Sequence, residues 1–207
     1  FQPCWRGLGG STFQAWTFAE SNNPAALLPN LATNGYGSAV GSIDFGTFSD
    51  GYIESDLFLG CRQGIWDLGH TGRLTLSINN TTSGSAGSYK YVQVVVTQFR
   101  DSLYNENALV AIAGGTLVGQ AQAVVGTNNF GGEWVAAKGL WRLGSPCPAA
   151  ESVVITAGTN GTLVDQVLVE TMCMDLTCPA DILASTDALK SPPHKRIFPN
   201  QAKNRVV

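Results

Sequence analysis

Between Arg73 and Ile78 the chain reads Arg-Leu-Thr-Leu-Ser-Ile, apolar and polar in strict alternation. Leu74, Leu76 and Ile78 fall on one face, and Arg73, Thr75 and Ser77 on the other. A period of two is that of a half-buried strand and is incompatible with an amphipathic helix. The same stretch begins earlier, with Ile65 and Trp66, and is broken at Gly69-His70-Thr71-Gly72. A glycine-bounded polar break between two strand-like runs predicts a hairpin, although the break is longer than the favoured two residues.

The rest of the chain repeats this grammar. Ser11 to Phe18 alternates aromatic with small or polar residues and predicts a strand, ended by Ser21-Asn22-Asn23-Pro24. Residues 24–37, punctuated by Pro24, Pro29 and Asn34-Gly35, predict a long loop. Strands are expected over Ser38 to Phe48 and from Tyr52 towards Cys61. After a polar loop, residues 79–88, comes the strongest β signal, Tyr89 to Phe99. Its centre, Val92-Gln93-Val94-Val95-Val96, is apolar at nearly every position, as in a strand covered on both faces. Ala108 to Ala113 and Thr116 to Val125 flank Gly114-Gly115 and predict a second hairpin. Glu133 to Leu143, Val153 to Thr156 and Leu163 to Met172 complete the set. Nine or ten strands at ~8–12-residue spacing, with no helical periodicity before residue 180, predict an all-β, two-sheet antiparallel sandwich, jelly-roll-like. An immunoglobulin-like sandwich is the alternative, and it normally needs fewer strands.

Two segments are expected: a β-sandwich domain over residues 1–178 and a basic, Pro-containing C-terminal extension over 179–207. Residues 181–207 hold five basic and two acidic residues, a net +3, against seven basic and thirteen acidic residues, a net −6, in residues 1–180. A basic tail on an acidic body is a docking pair in waiting. Asp181 to Lys190 is long enough for a short helix, which Ser191-Pro192-Pro193 would stop.

Charged residues make up only 13% of the chain, about half the usual share, so Ser, Thr, Asn, Gln and Gly must cover its surface. That composition suits a secreted or assembled protein. A chain opening on Phe1 rather than Met is expected to be processed or trimmed, and no apolar run approaches the ~20 residues of a membrane span. Cys4, Cys61, Cys147, Cys173 and Cys178 are not spaced as zinc ligands or as a Cys-x-x-Cys pair. Two disulfides and one leftover thiol in an oxidising compartment are expected: Cys4 with Cys61, and a second bridge among Cys147, Cys173 and Cys178. The leftover is either buried and inert or pairs between chains.

Cys4-Trp5-Arg6-Gly7 with Ser11-Thr12-Phe13-Gln14-Ala15-Trp16, the centre Trp66-Asp67-Leu68-Gly69, Tyr91-Val92-Gln93-Val94, Glu133-Trp134-Val135 with Trp141-Arg142, and Val164-Asp165-Gln166-Val167 form a further pattern. Together they resemble a family of exported bacterial β-sandwich proteins of unknown function, of the PEP-CTERM type, over about residues 1–178. The resemblance implies export and a jelly-roll-like sandwich, and it carries no catalytic residue. The basic tail, with no sorting helix, departs from the family pattern.

Chemistry is sparse. Nucleophilic catalysis needs a base beside the nucleophile, and the chain offers only His70, in a turn, and His194, between proline and lysine. There is no Gly-x-Ser-x-Gly elbow and no phosphate loop. Glu54, Asp56, Asp67, Glu133, Asp165 and Glu170 are carboxylates that nothing in the sequence pairs, as a glycosidase would require. Asp165 shares a face with Val167 and Val169, so it is expected to be buried and satisfied by a neighbouring loop. The other reading is a calcium site with Asp44, Asp50 or Asp56. Asn79, Asn80 and Asn160 head glycosylation sequons. The tryptophans Trp5, Trp16, Trp66, Trp134 and Trp141 are either core or a sugar-stacking platform. The acidic body argues against nucleic acid.

Two functions remain. The first is a non-enzymatic structural subunit, extracellular or on the cell surface, that self-assembles as a homo-polymer. Its C-terminal extension would be the link, with Ile197, Phe198, Val206 and Val207 as apolar anchors and Lys195, Arg196, Lys203 and Arg205 setting orientation. The second is a carbohydrate-binding module with an extracellular polysaccharide partner. No cofactor is expected.

Overall fold

The computed structural model describes residues 3, 5–18, 21, 29, 31–56, 58–60, 62–81 and 87–174. These carry twelve strands: β1 Thr12–Trp16, β2 Leu31–Thr33, β3 Val40–Asp44, β4 Gly51–Asp56, β5 Arg62–Asp67, β6 Arg73–Asn79, β7 Tyr89–Arg100, β8 Leu109–Ile112, β9 Gly115–Thr127, β10 Glu133–Leu143, β11 Ala150–Thr156 and β12 Leu163–Met174. All pairings are antiparallel. One sheet runs β2-β1-β12-β7-β10-β9, with β5 also on β12 and β4 on β5. The other runs β3-β6-β11-β8. The all-β two-sheet sandwich expected from the alternation is the fold.

The alternation places the core. Leu74, Leu76 and Ile78 of β6, with Val153 and Ile155 of β11, meet Val92, Val94 and Val96 of β7 and Val164, Val167 and Val169 of β12. Each fully buried aliphatic side chain contributes about 1.5–3 kcal/mol. Strand β7 lies at the centre of the larger sheet, between β12 and β10, and every residue from Lys90 to Phe99 is buried. Its outer face is covered at one end by Trp5, which packs with Tyr91 and Leu140, and at the other by a cluster of Leu59, Ile65, Phe99, Trp134 and Leu163. Continuous apolarity in the sequence thus corresponds to cover on both faces.

Both predicted hairpins are corrected. β5 belongs to the larger sheet and β6 to the smaller, so the link Leu68–Gly72 crosses between sheets. Likewise β8 pairs with β11 and β9 with β10, so Gly114-Gly115 also joins the two sheets. The crossing at Leu68–Gly72 is fixed by close backbone approach. The amide of Gly46 donates to the Leu68 carbonyl at 2.8 Å, and that of His70 to the Thr47 carbonyl at 2.8 Å. A Cβ on Gly72 would lie 1.8 Å from the Leu68 carbonyl oxygen. Within the expected long loop, Leu31–Thr33 pairs with β1 as an exposed three-residue edge strand.

The two ends of the sandwich differ. At one pole lie Leu163 opposite Asp67, and Glu133 opposite both Arg100 and Thr127. At the other lie Met174 opposite Tyr89, and Leu143 opposite Lys90 and Gly115. A disulfide joins Cys147 to Cys173 at this second pole, with Cα atoms 6.2 Å apart. Of the expected bridges, the one among Cys147, Cys173 and Cys178 is therefore Cys147–Cys173. Cys4, Cys61 and Cys178 lie outside the described residues, as do Lys195, Arg196, Ile197, Phe198, Lys203, Arg205, Val206 and Val207.

Candidate functional site

The pole that carries Leu163 and Asp67 opens into a cleft of about 280 Å³. Three turns build its walls, each held by a side-chain oxygen that accepts nearby backbone amides. Asp56 Oδ1 accepts from Phe58 N at 2.6 Å, just after β4. Asp101 Oδ1 accepts from Leu103 N and Tyr104 N at 2.7 and 2.8 Å, just after β7. Asn128 Oδ1 accepts from Phe130 N and Gly132 N at 3.0 and 2.6 Å, between β9 and β10, while its amide nitrogen donates to the Phe58 carbonyl.

That last bond brings the rings of Phe58 and Phe130 to 4.8 Å, although they are 63% and 58% exposed. Beneath them the floor is apolar. Leu59, Phe99 and Leu163 pack on Trp134, whose indole nitrogen donates to the Leu59 carbonyl at 2.9 Å. Around the rim stand Asp50, Asp56 and Asp101, and the buried Asp67 lies behind them. Among the described residues none of the four is in an ion pair; those pairs are Arg6–Glu170, Arg62–Asp165 and Lys90–Glu151. The local field shows at Tyr104, whose hydroxyl is pushed above its usual pKa by burial and then by Asp67, Asp101 and Asp50. The cleft therefore favours a ligand that is cationic at one end and apolar at the other.

The predicted carboxylates divide into two groups. Asp56 and Asp67 meet at this cleft. Asp67 is nonetheless committed to the fold: Oδ1 accepts from Gly69 N and Oδ2 from Asp50 N, each at 2.9 Å. Asp165 is buried as expected, but not on the expected face. A register shift between Val164 and Gln166 leaves Val164 in the inter-sheet core with Val167 and Val169. Asp165 pairs instead with Arg62 of β5, a strand and not a loop, whose guanidinium stacks on Trp134. Glu170 accepts from Arg6 and from Gln93. Glu54 is exposed on β4, and Glu133 is half-buried at the start of β10. Of the alternative calcium partners of Asp165, Asp44 sits on β3 of the opposite sheet and Asp50 and Asp56 line the cleft, while Asp165 itself is paired with Arg62. Among the described residues no cluster of His, Cys, Asp or Glu is arranged to hold a metal ion.

His70 lies in the crossing link with its ring 5.1 Å from that of Phe48, and it does not line the cleft. His194 lies outside the described residues. All five tryptophans are buried, at 0–6% exposure, so they form core and not a stacking platform. Of the sequon residues, Asn80 is buried and its side-chain oxygen accepts from Thr12 and Thr171, which corrects its reading as a glycan acceptor. Asn79 is exposed and Asn160 half-buried.

Asp101, Phe130 and Asn128 escape a reading of the sequence alone. The available signal is an Asp or Asn at the end of a long strand, followed two residues later by an apolar side chain. No protein-family model, curated protein or solved structure matches this chain. The class of the protein is therefore defined by its fold and its cleft: an antiparallel β-sandwich with an acidic, aromatic pocket at one pole.

Proposed function

We propose that this chain is a non-enzymatic structural subunit, working outside the cell, that self-assembles into a filament or surface layer. The observation that supports this reading most directly is the open edge of the larger sheet. β9 is 13 residues long and, among the described residues, pairs on one side only, with β10. From Asn107 to Gly132 the sequence contains no charged residue and no proline. Leu117, Val118, Val124 and Val125 are 44–53% exposed. Monomeric proteins usually block such an edge with charge, proline or short length, because unpaired N–H and C=O groups template the addition of another strand. Here the interruptions are two register shifts opposite Trp134/Val135 and Leu140/Trp141. Between them Gly119–Val124 runs in register, long enough to pair with another strand.

The low charge of the whole chain and the disulfide fit the same setting. The carbohydrate-binding reading loses its main support with the tryptophans buried. The test is assembly of the full chain as a function of concentration, measured by sedimentation velocity, for the native sequence and for a Gln120→Lys/Val124→Lys variant. Both positions are exposed or half-exposed on the edge strand, so the fold should persist. Large species are expected for the native chain and at least a tenfold loss for the variant. A native chain that stays monomeric at every concentration and salt would falsify the proposal.

A further inference from the structure

The sandwich is polar in the geometric sense, and its two poles are complementary. The chain leaves the described residues at Met174, beside Tyr89. The acidic, aromatic cleft lies at the opposite end of the same strand, beside Leu163. β12 is 12 residues long, which separates the two by roughly 36 Å at ~3.3 Å per residue. Beyond Met174 the sequence continues into the basic extension, in which His194-Lys195-Arg196-Ile197-Phe198 sets two cations directly before two apolar side chains. The cleft offers the mirror image: carboxylates with no ion pair among the described residues at the rim, and an exposed Phe58–Phe130 pair over an apolar floor.

We propose that the cleft is the socket for residues 195–198 of a neighbouring copy, so that subunits join pole to pole, each extension entering the next cleft. In this arrangement Lys195 and Arg196 face the rim formed by Asp50, Asp56 and Asp101, and Phe198 packs on Phe58 and Phe130. Guanidinium and aromatic groups favour such surroundings through charge-assisted contacts and ring faces. A copy stacked on the Leu163 pole presents its exit point beside the cleft. A chain filling its own cleft would have to run back along the whole sandwich. Such a contact uses different surfaces on the two partners, so it is heterologous and propagates unless its rotation closes a ring. The proposal rests on the self-assembly reading but uses a different surface from β9, so the two fail separately.

The experiment uses the full chain in three forms: Asp50→Lys; Lys195→Glu with Arg196→Glu; and all three changes together. Asp50 is exposed and its side chain caps no turn, so the fold should be retained; near-ultraviolet dichroism from the buried tryptophans checks this. The first two forms should each lose assembly at least tenfold, and the combined form should recover most of it, because the charges are exchanged. An equimolar mixture of the first two should also recover, since each supplies the complement the other lacks. In parallel, a photoreactive group at position 198 in a mixture of heavy- and light-isotope chains should cross-link to the 128–132 turn between chains.

Cross-links confined to one chain, or directed to another face, overturn the proposal. So does a charge-reversed extension that assembles like the native chain; loss in Gln120→Lys/Val124→Lys alongside that result leaves self-assembly standing and removes only the socket. Shifts of cleft amides by a xylo-oligosaccharide, with none from a peptide of residues 179–207, would assign the cleft to a sugar instead.

Discussion

Lys90 of β7 and Glu151 of β11 face each other across the two sheets, Nζ 4.0 Å from Oε2, each with about 1% of its side chain exposed. The pair sits where the apolar rows of Val92 and Val153 end. Lys90 also donates to the carbonyls of Thr81 and Pro148, at 3.3 and 3.0 Å. Burial lowers the Lys90 ammonium below its usual pKa, with Glu151 pulling it back. Burial also raises the Glu151 carboxyl to about 7, against the opposing pull of Lys90 and Asn80. Such a pair joins the sheets at a cost in desolvation.

That cost sets the pH dependence of stability. A carboxyl whose pKa rises on folding, from 4.5 to about 7, binds its proton more tightly in the native state. Its stabilising contribution is full below pH 4.5 and is lost as the pH climbs to 7. The loss is on the order of 3 kcal/mol for a shift of this size. Glu170, also raised by burial against the pull of Arg6, adds a slope of the same sign. Urea unfolding at pH 4.5, 5.5, 6.5 and 7.5 should show stability falling across the series, with a shallower slope in Glu151→Gln. A native chain that gains stability over this range would contradict the account.

Asp165 and Arg62 make a second test of buried charge. Removing one partner should cost more than removing both, because a lone buried carboxylate or guanidinium keeps its desolvation penalty. Arg62 also stacks over the Trp134 ring, 4.7 Å from its centroid, so Arg62→Ala loses packing as well. We expect Arg62→Met to destabilise by about 2–4 kcal/mol and the Arg62→Met/Asp165→Asn double variant by clearly less. Chemical denaturation of the full double-mutant cycle measures the difference. Equal and additive losses would show that the two residues act independently.

These interactions mark the boundary of what the sequence discloses. Leu74, Leu76 and Ile78 announce a strand because two-residue periodicity is local, and the valines of β7 announce cover on both faces for the same reason. Which strand pairs with which is not local. Gly69-His70-Thr71-Gly72 has the composition of a hairpin turn, yet β5 and β6 part there because Leu68 belongs to the inter-sheet core and Gly46 approaches from the next segment. Leu31–Thr33 looks like loop in the sequence because three exposed residues show no alternation. The cleft is half visible there. Asp56 and Asp67 can be named but not joined, since their meeting depends on turns at Asp101 and Asn128 that lie far off in sequence.

The glycines of the two crossings separate close approach from backbone strain. A Cβ on Gly72 would meet the Leu68 carbonyl oxygen at 1.8 Å, so Gly72→Ala must displace the crossing and should cost about 3 kcal/mol or more, on the order of the largest single-residue effects. Gly114 has φ +71° and open space around its Cβ position. Gly114→Ala should therefore cost only the left-handed penalty, about 1–2 kcal/mol. Thermal unfolding of the two variants checks the ranking. Similar losses at both sites would remove the argument for a packed crossing.

The last expectation concerns the bridge at the exit pole. Cys173 lies one residue before Met174, where the described chain ends, and Cys147 lies in the link between β10 and β11. The bridge closes a loop with a sequence separation of 26, which by the loop-entropy relation stabilises the native state by roughly 3.5 kcal/mol. Its position adds a mechanical role if the extension connects copies, because tension on the extension reaches β12 at this end. The bridge shares that load with the β10–β11 link, while the ladders to β7 and β1 carry it further in. A Cys147→Ala/Cys173→Ala variant should unfold at lower denaturant by about that free energy, yet keep the strand content of the native chain. Pulled through its C-terminus in an optical trap, it should begin to peel at β12 at a lower force than the native protein. Equal peeling forces in the two proteins would show that the ladders alone bear the load.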